Sequence, residues 1–339
     1  MGNALRVAVI GAGQIAQRGH LPGYTQAGAE LVALCDSTHP ELEAISAKYQ
    51  VKRAYRDWKE MLAEGGFDAV SICTPPFLHC EMSVEALRRG YHVLVEKPMA
   101  ISLAECDQMI EAARQSKTLL MVSHNQRFMA VHQLAKAILD SGELGKPYLI
   151  HGVFGHSGPE KWSPTQTWYF RRDRAGWGVI ADLGYHKLDI ICWISGQSLA
   201  QIGAFSTTFE KATTLEDSAV FSFQLSGGML GTLQVSWVFR PDWENSLTLR
   251  CERGVIRVPT EATAPVRVIK LDNLGRVVES EHVCKTQDIS GWFGAVQAFV
   301  TAIQSGGPSP VPGTDGRAVL AAVLAASEAI EQKKIVSLA

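Results

Sequence analysis

The chain has 339 residues, of which 46% are hydrophobic and 19% charged, and its formal net charge is −2. That length suggests two domains, each with its own core, and the composition excludes a disordered chain. Both signs of charge are scattered without a basic stripe, so nucleic acid is not an expected partner.

The first apolar stretch, residues 5–12, is too short and glycine-rich to span a membrane. It lacks a charged flank and a small-residue cleavage site, so no signal peptide is read and the cytoplasm is the expected compartment. Through residue 123, short β-rich runs alternate with helical patterns. Strands are predicted at 6–10, 30–36, 69–73, 92–96 and 119–123, and helices near 41–49, 79–89 and 103–115. Near-continuous apolar strands separated by helices argue for a doubly wound parallel sheet.

From about residue 124 the pattern changes. A helix near 131–141 leads to a strand at 148–154, a loop rich in Trp, Pro and Arg, and a long helical stretch near 179–194. Between 201 and about 282 there are mostly strands, among them 218–224, 230–238 and 246–251. With little helix between them, that sheet is expected to be mainly antiparallel. Helices near 292–304 and 316–332 finish the chain, and the last is able to pack back on the first domain. The seven cysteines form no Cys-x-x-Cys pair, so neither a metal site nor a disulfide framework is expected.

Residues 7–16 read as a strand running into Gly11-x-Gly13-x-x-Ala16. Gly11 suits a tight turn, Gly13 close approach to a pyrophosphate, and Ala16 close packing of the following helix; Gln14 and Ile15 complete the turn. Glycine turns between strand and helix are common. Here, however, Asp36 stands twenty residues beyond Ala16 at a second strand's end. Its carboxylate suits an adenosine ribose and would repel a 2′-phosphate, so NAD is preferred to NADP. An ordinary turn or cap is the alternative role for Asp36.

Lys97 follows an apolar strand over the same crevice and precedes Pro98. There it can orient a substrate hydroxyl and stabilise developing alkoxide charge; a surface lysine ending a strand is the plainer reading. In the second half, Asp182 and His186 lie four apart in a helical pattern and share a face, with Asp189 near the same stripe. A carboxylate beside an imidazole suits a general base near neutral pH. The same spacing also suits a packed helix whose histidine only bonds its neighbour.

These segments together resemble the glucose–fructose oxidoreductase / inositol dehydrogenase / rhizopine catabolism family. The resemblance rests on Gly11-x-Gly13-x-x-Ala16, Thr74-Pro75-Pro76-x-x-His79, Glu96-Lys97-Pro98 and Asp182-x-Gly184-x-His186-x-x-Asp189, and spans nearly the whole chain. It implies an α/β fold: an N-terminal Rossmann domain at 1–123, then an α/β domain at 124–339 with a large open sheet that commonly forms a homodimer or homotetramer interface. It also implies that Lys97, Asp182 and His186 are catalytic. By that resemblance, His186 takes a substrate hydroxyl proton, Asp182 holds the imidazole, and Lys97 eases loss of the proton. Thr74, Pro75, His79, Glu96 and Lys97 would join the glycine turn around the cofactor, and Asn125 and Arg127 would lie near nicotinamide and substrate. A rigid Pro-Pro turn and a domain-junction hydrogen-bond network are the other roles open to these positions.

The loop at 155–176 holds Trp162, Trp168, Tyr169, Arg171, Arg172 and Arg174. Aromatics with arginines suit a sugar, with Trp168 the foremost substrate contact; a solvated basic loop is the alternative. Sugars, cyclitols and polyols are the substrate class the resemblance implies. Two other classes stay open: an NAD-dependent glycosidase acting by transient oxidation at C3, and an NAD-binding regulator, which would need neither Lys97 nor His186.

Overall fold

The structure is a computed structural model that describes residues 4–38, 40–161, 168–241, 243–272, 274–284 and 290–338. The chain forms two compact units, Met1–Asn125 with Gly291–Leu320, and Gln126–Ser290 with Ala321–Ala339.

The first unit is built on six strands, β1 (Arg6–Ile10), β2 (Glu30–Cys35), β3 (Arg53–Tyr55), β4 (Ala69–Ile72), β5 (His92–Val95) and β6 (Leu120–Val122). Five helices connect them: α1 (Leu21–Gln26), α2 (Leu42–Lys48), α3 (Trp58–Glu64), α4 (His79–Arg88) and α5 (Leu103–Ser116). All strand pairings are parallel and the order is β3-β2-β1-β4-β5-β6, so the strand direction of winding reverses beside β1. Val7–Ile10 and all of β4 are buried, as helices on both faces require. The short β3 and the helix α3 were not expected from the sequence. Asp57 caps α3 by accepting the Lys59 N–H at 2.7 Å.

Between β1 and α1 the backbone makes a wide π turn, Ala16–His20, in which the Leu21 N–H donates to the Ala16 carbonyl. Pro22 accounts for it: proline has no N–H to donate and its ring crowds the carbonyl four residues back. Residues Gly291–Leu320 complete this unit. The Val122 N–H donates to the Val311 carbonyl at 3.0 Å, covering the β6 edge.

The second unit opens with α6 (Ala130–Asp140), β7 (Pro147–Gly155), the short α7 (Arg172–Ala175) and α8 (Tyr185–Ser195). Strands β8 (Leu199–Thr207), β9 (Ser218–Leu225), β10 (Leu230–Ser236), β11 (Glu244–Cys251), β12 (Gly254–Val258), β13 (Val266–Leu271) and β14 (Val277–His282) follow. After α9 (Trp292–Ser305), which belongs to the first unit, and α10 (Gly313–Gln332), whose residues from Ala321 belong to the second, comes the strand β15 (Val336–Ser337). The nine-stranded sheet has the order β14-β13-β12-β11-β7-β10-β9-β8-β15. Strands β7 and β10 pair in parallel, and the other pairings among the described residues are antiparallel. Alternate residues of β9 and β10 are buried, the period of a sheet with one covered face. Its other face is open and presents the apolar Leu149, Val220, Leu230 and Phe205 among polar neighbours, the last of the four 84% exposed.

Candidate active site

The glycine turn is shaped by close backbone approach. Gly11 has φ +95°, and a Cβ there would lie 2.6 Å from the Cys73 carbonyl oxygen, so only glycine fits. Its N–H donates to the Cys35 carbonyl at 2.8 Å, fastening the turn to the end of β2. Gly13, Gln14 and Ile15 are partly exposed, whereas Ala16 is buried. Asp36 faces this turn: Oδ2 accepts the Ala12 N–H at 2.9 Å and Oδ1 accepts the Thr38 N–H at 2.9 Å. Oδ1 also lies 3.3 Å from the Thr38 hydroxyl, which donates to it, so the carboxylate is fixed against the turn. A cation does reach this end of the turn, from a distant position. Arg56 donates to the Asp36 carbonyl at 3.3 Å, while its other arm is held by Glu43 at 2.8 Å.

At the ends of β4 and β5, His79 lies buried with Nε2 2.7 Å from the Thr74 carbonyl oxygen and Nδ1 2.9 Å from that of Pro98. Burial lowers its basicity, so the neutral ring donates to one carbonyl at a time and spans the two turns. Thr74 and Pro75 are half-buried beside it. Glu96 is buried, and its Oε1 accepts from His20 Nε2 at 2.9 Å. The next residue, Lys97, is half-buried. Burial opposes the charge on His20, but its Cys73 and Glu96 neighbours outweigh that and raise the imidazole to about 10. Burial likewise pushes the Cys73 thiol up, so the neutral-pH counter-ion is Glu96, whose carboxyl is held below its ordinary value by His20 against the effect of burial.

In the second unit the helical stretch begins with a π turn, Ile180–Gly184, and continues as α8. A regular α-helix was expected throughout. The departure starts where Glu216 seats the first turn, accepting N–H bonds from Gly178 at 2.7 Å and Ile180 at 3.3 Å. Burial raises the Glu216 carboxyl. From Gly178 to Ile191 every residue is buried except Asp182 and His186, which keep a partly exposed stripe. Asp182 Oδ2 accepts the indole N–H of buried Trp237 at 3.0 Å. The Trp237 ring meets Phe170 edge-on at 5.8 Å, and Trp168 stacks on Tyr169 at 3.7 Å in the same short turn. His186 lies 6.0 Å from the Phe154 ring.

Arg127 is buried and donates from Nε to both oxygens of Asp189, at 3.1 and 3.0 Å, which ties it to the helix that carries Asp182 and His186. Arg171, Arg172 and Arg174 are exposed, with Arg171 bound by Asp173; Trp162 lies outside the described residues. Lys187, one residue past His186, is fully buried and donates to the Ser246 carbonyl at 3.2 Å. Burial lowers its ammonium to about 7, although Glu244 pulls the other way. No cluster of metal-ligating side chains occurs among the described residues. His20, Arg56, Glu216 and Trp237 were not singled out from the sequence, because each acquires its partner through the fold.

Two family profiles match this chain. One, described as an oxidoreductase family with an NAD-binding Rossmann fold, covers residues 5–124, and the GFO/IDH/MocA C-terminal domain covers residues 132–257. Myo-inositol 2-dehydrogenase of Thermotoga maritima is 25% identical over 98% of both chains. D-glucoside 3-dehydrogenase of Escherichia coli is 30% identical, over 68% of this chain and 66% of that protein. Among solved structures, levoglucosan dehydrogenase in complex with NADH superposes with a TM-score of 0.92 at 18% identity, over 99% of this chain and 100% of that one.

Proposed function

The chain belongs to the glucose–fructose oxidoreductase / inositol dehydrogenase / rhizopine catabolism oxidoreductase family, and from that premise we propose that it is an NAD-dependent dehydrogenase of a sugar, cyclitol or related polyol. The observation that carries this reading is the partly exposed pair Asp182 and His186 in an otherwise buried stretch from Gly178 to Ile191. A packed helix that only bonded its own neighbours would gain nothing from leaving an imidazole and a carboxylate accessible together.

The glycine turn fits a dinucleotide: a partly exposed Gly13, a small buried Ala16 and an Asp36 carboxylate that the Ala12 N–H holds at the turn. When bound, the nicotinamide supplies the hydride acceptor at C4. His186 is the base that receives the substrate hydroxyl proton. Asp182 favours the protonated ring and is itself aimed by the Trp237 indole. Lys97 stabilises negative charge as it builds on the substrate oxygen. Trp168 and Arg127 are proposed substrate-side residues, with Arg127 acting from its ion pair with Asp189. NAD is preferred because Asp36 opposes a 2′-phosphate and Glu43 holds Arg56. The open face of the nine-stranded sheet is the proposed homodimer or homotetramer interface, which sedimentation showing only monomer would remove.

The test uses the purified protein with NAD or NADP and a panel of myo-inositol, levoglucosan and aryl glucosides, following reduced cofactor and aglycone together. NADH without aglycone is expected, and faster than NADPH. Aglycone without NADH would instead identify a glycosidase, and cofactor binding with neither product a regulator. Lys97→Ala and His186→Ala are each expected to lower kcat by at least about a hundredfold, with the NAD dissociation constant changed less than about threefold. Undiminished turnover in either variant removes that residue from the mechanism.

A further inference from the structure

A chain of buried polar groups runs beneath the residue that precedes Lys97. Tyr24 Oη lies 3.0 Å from Ser71 Oγ, Ser71 Oγ lies 2.7 Å from His20 Nδ1, and His20 Nε2 lies 2.9 Å from Glu96 Oε1. The other Glu96 oxygen accepts the N–H of Lys97 at 3.2 Å, and Ser123 hydrogen-bonds the same carboxylate. His20 is 1% exposed and Glu96 7%. Packing alone does not call for this. An apolar residue at the end of β5 would fill the space without removing two charges from water, a cost of several kcal/mol per ion.

The location of the pair gives that cost a purpose. His20 closes the same wide turn that Ala16 opens, so it belongs to the segment running from the glycine turn. Glu96 is joined covalently to Lys97. Through the two, the backbone that faces the cofactor is tied to the backbone that carries the cation, across the carboxyl ends of β4, β5 and β6. A displacement of about 1 Å in a reacting group can cost about a hundredfold in rate.

We propose that His20 is a positioning residue for Lys97, acting through its buried ion pair with Glu96 to hold the lysine in register with the cofactor turn. This rests on the reading of Lys97 as the cation at the reacting oxygen. Two measurements test it. In the NAD complex at about pH 8, above the ordinary histidine range, 15N NMR of the His20 ring is expected to show an imidazolium that becomes neutral in Glu96→Gln. A neutral ring in the unmodified protein overturns the ion pair, and this measurement needs no substrate.

The second is a double-mutant cycle with NAD and myo-inositol as the probe substrate. His20→Gln is expected to lower kcat at least about tenfold while the NAD dissociation constant and the myo-inositol KM stay within about threefold. In a Lys97→Ala background the same change is expected to cost less than about twofold, because there is no lysine left to position. If His20→Gln does not fold, Glu96→Gln takes its place in the cycle and keeps a neutral hydrogen bond. Equal losses in both backgrounds, or full activity of the single variant beside an impaired Lys97→Ala, overturn the positioning role alone. Full activity of Lys97→Ala would overturn the reading beneath it.

Discussion

His20 in the first unit and Lys187 in the second are both fully removed from water, yet their surroundings drive them in opposite directions. His20, with Cys73 beside it and the Glu96 carboxylate at 2.9 Å, is raised to about 10, whereas Lys187 meets a backbone carbonyl at 3.2 Å and is lowered to about 7. Burial opposes charge in both places, and the difference is the partner. A full negative charge within hydrogen-bond reach reverses the penalty; a carbonyl dipole with a more distant Glu244 does not. Burial of a basic side chain therefore says little about its charge until the facing group is named.

That contrast can be broken most severely from the acid side. Glu96→Leu leaves His20 without its counter-ion and is expected to destabilise the protein by about 3–5 kcal/mol, measured by urea unfolding. A loss below about 1 kcal/mol would mean that the pair is not what holds the imidazole charged. Lys187→Met replaces a poorly compensated ammonium with an apolar side chain of similar length. It is expected to raise stability by about 1–4 kcal/mol near neutral pH, and a comparable loss would show that Lys187 has a stronger partner than Ser246.

The pH dependence is the most diagnostic, because the two units should respond to the same pH change with opposite sign. The folded value of His20 lies above the ordinary 6.5, so its contribution is complete below that value and is lost as pH rises through about 10. For Lys187 the folded value, about 7, lies below the ordinary 10.5. Between those limits the unfolded chain binds more protons, so the second unit gains stability as pH rises. Hydrogen exchange corrected for intrinsic rates, read on peptides around His20 and around Lys187 with His20→Gln and Lys187→Met as references, should show diverging slopes. Parallel slopes would undo the comparison.

The parts legible in the sequence were those written locally. The apolar runs of β1, β4 and β5, the Gly11–Ala16 turn and the alternation of β9 follow from neighbours along the chain. Even the strand ends came within a residue or two, since Glu30–Cys35 and His92–Val95 stop just before the expected Asp36 and Glu96. What escaped was written across the fold. Residues 20 and 96 acquire meaning only when β4 and β5 lie side by side, and Trp237 reaches Asp182 only because β10 lies in the middle of the second sheet. The three-residue β3 carries too short a pattern to stand out, and the π turns were invisible because a helical period hides one extra residue. Pro22 was the available clue to the first of them.

The return of residues 291–320 to the first unit has a consequence for how the protein is made. A Cβ on Gly19 would lie 3.0 Å from the Trp292 ring and one on Gly23 3.1 Å from Val296, so this surface is shaped for a helix synthesised long after it. Domains generally fold in order from the N-terminus as the ribosome delivers them. Here the first six strands emerge early and then wait. At about 5–20 residues per second, residues 126–320 take roughly 10–40 s to appear. Throughout that interval the β6 edge lacks Val311, and a nascent chain with an uncovered strand edge is the form most in need of a chaperone.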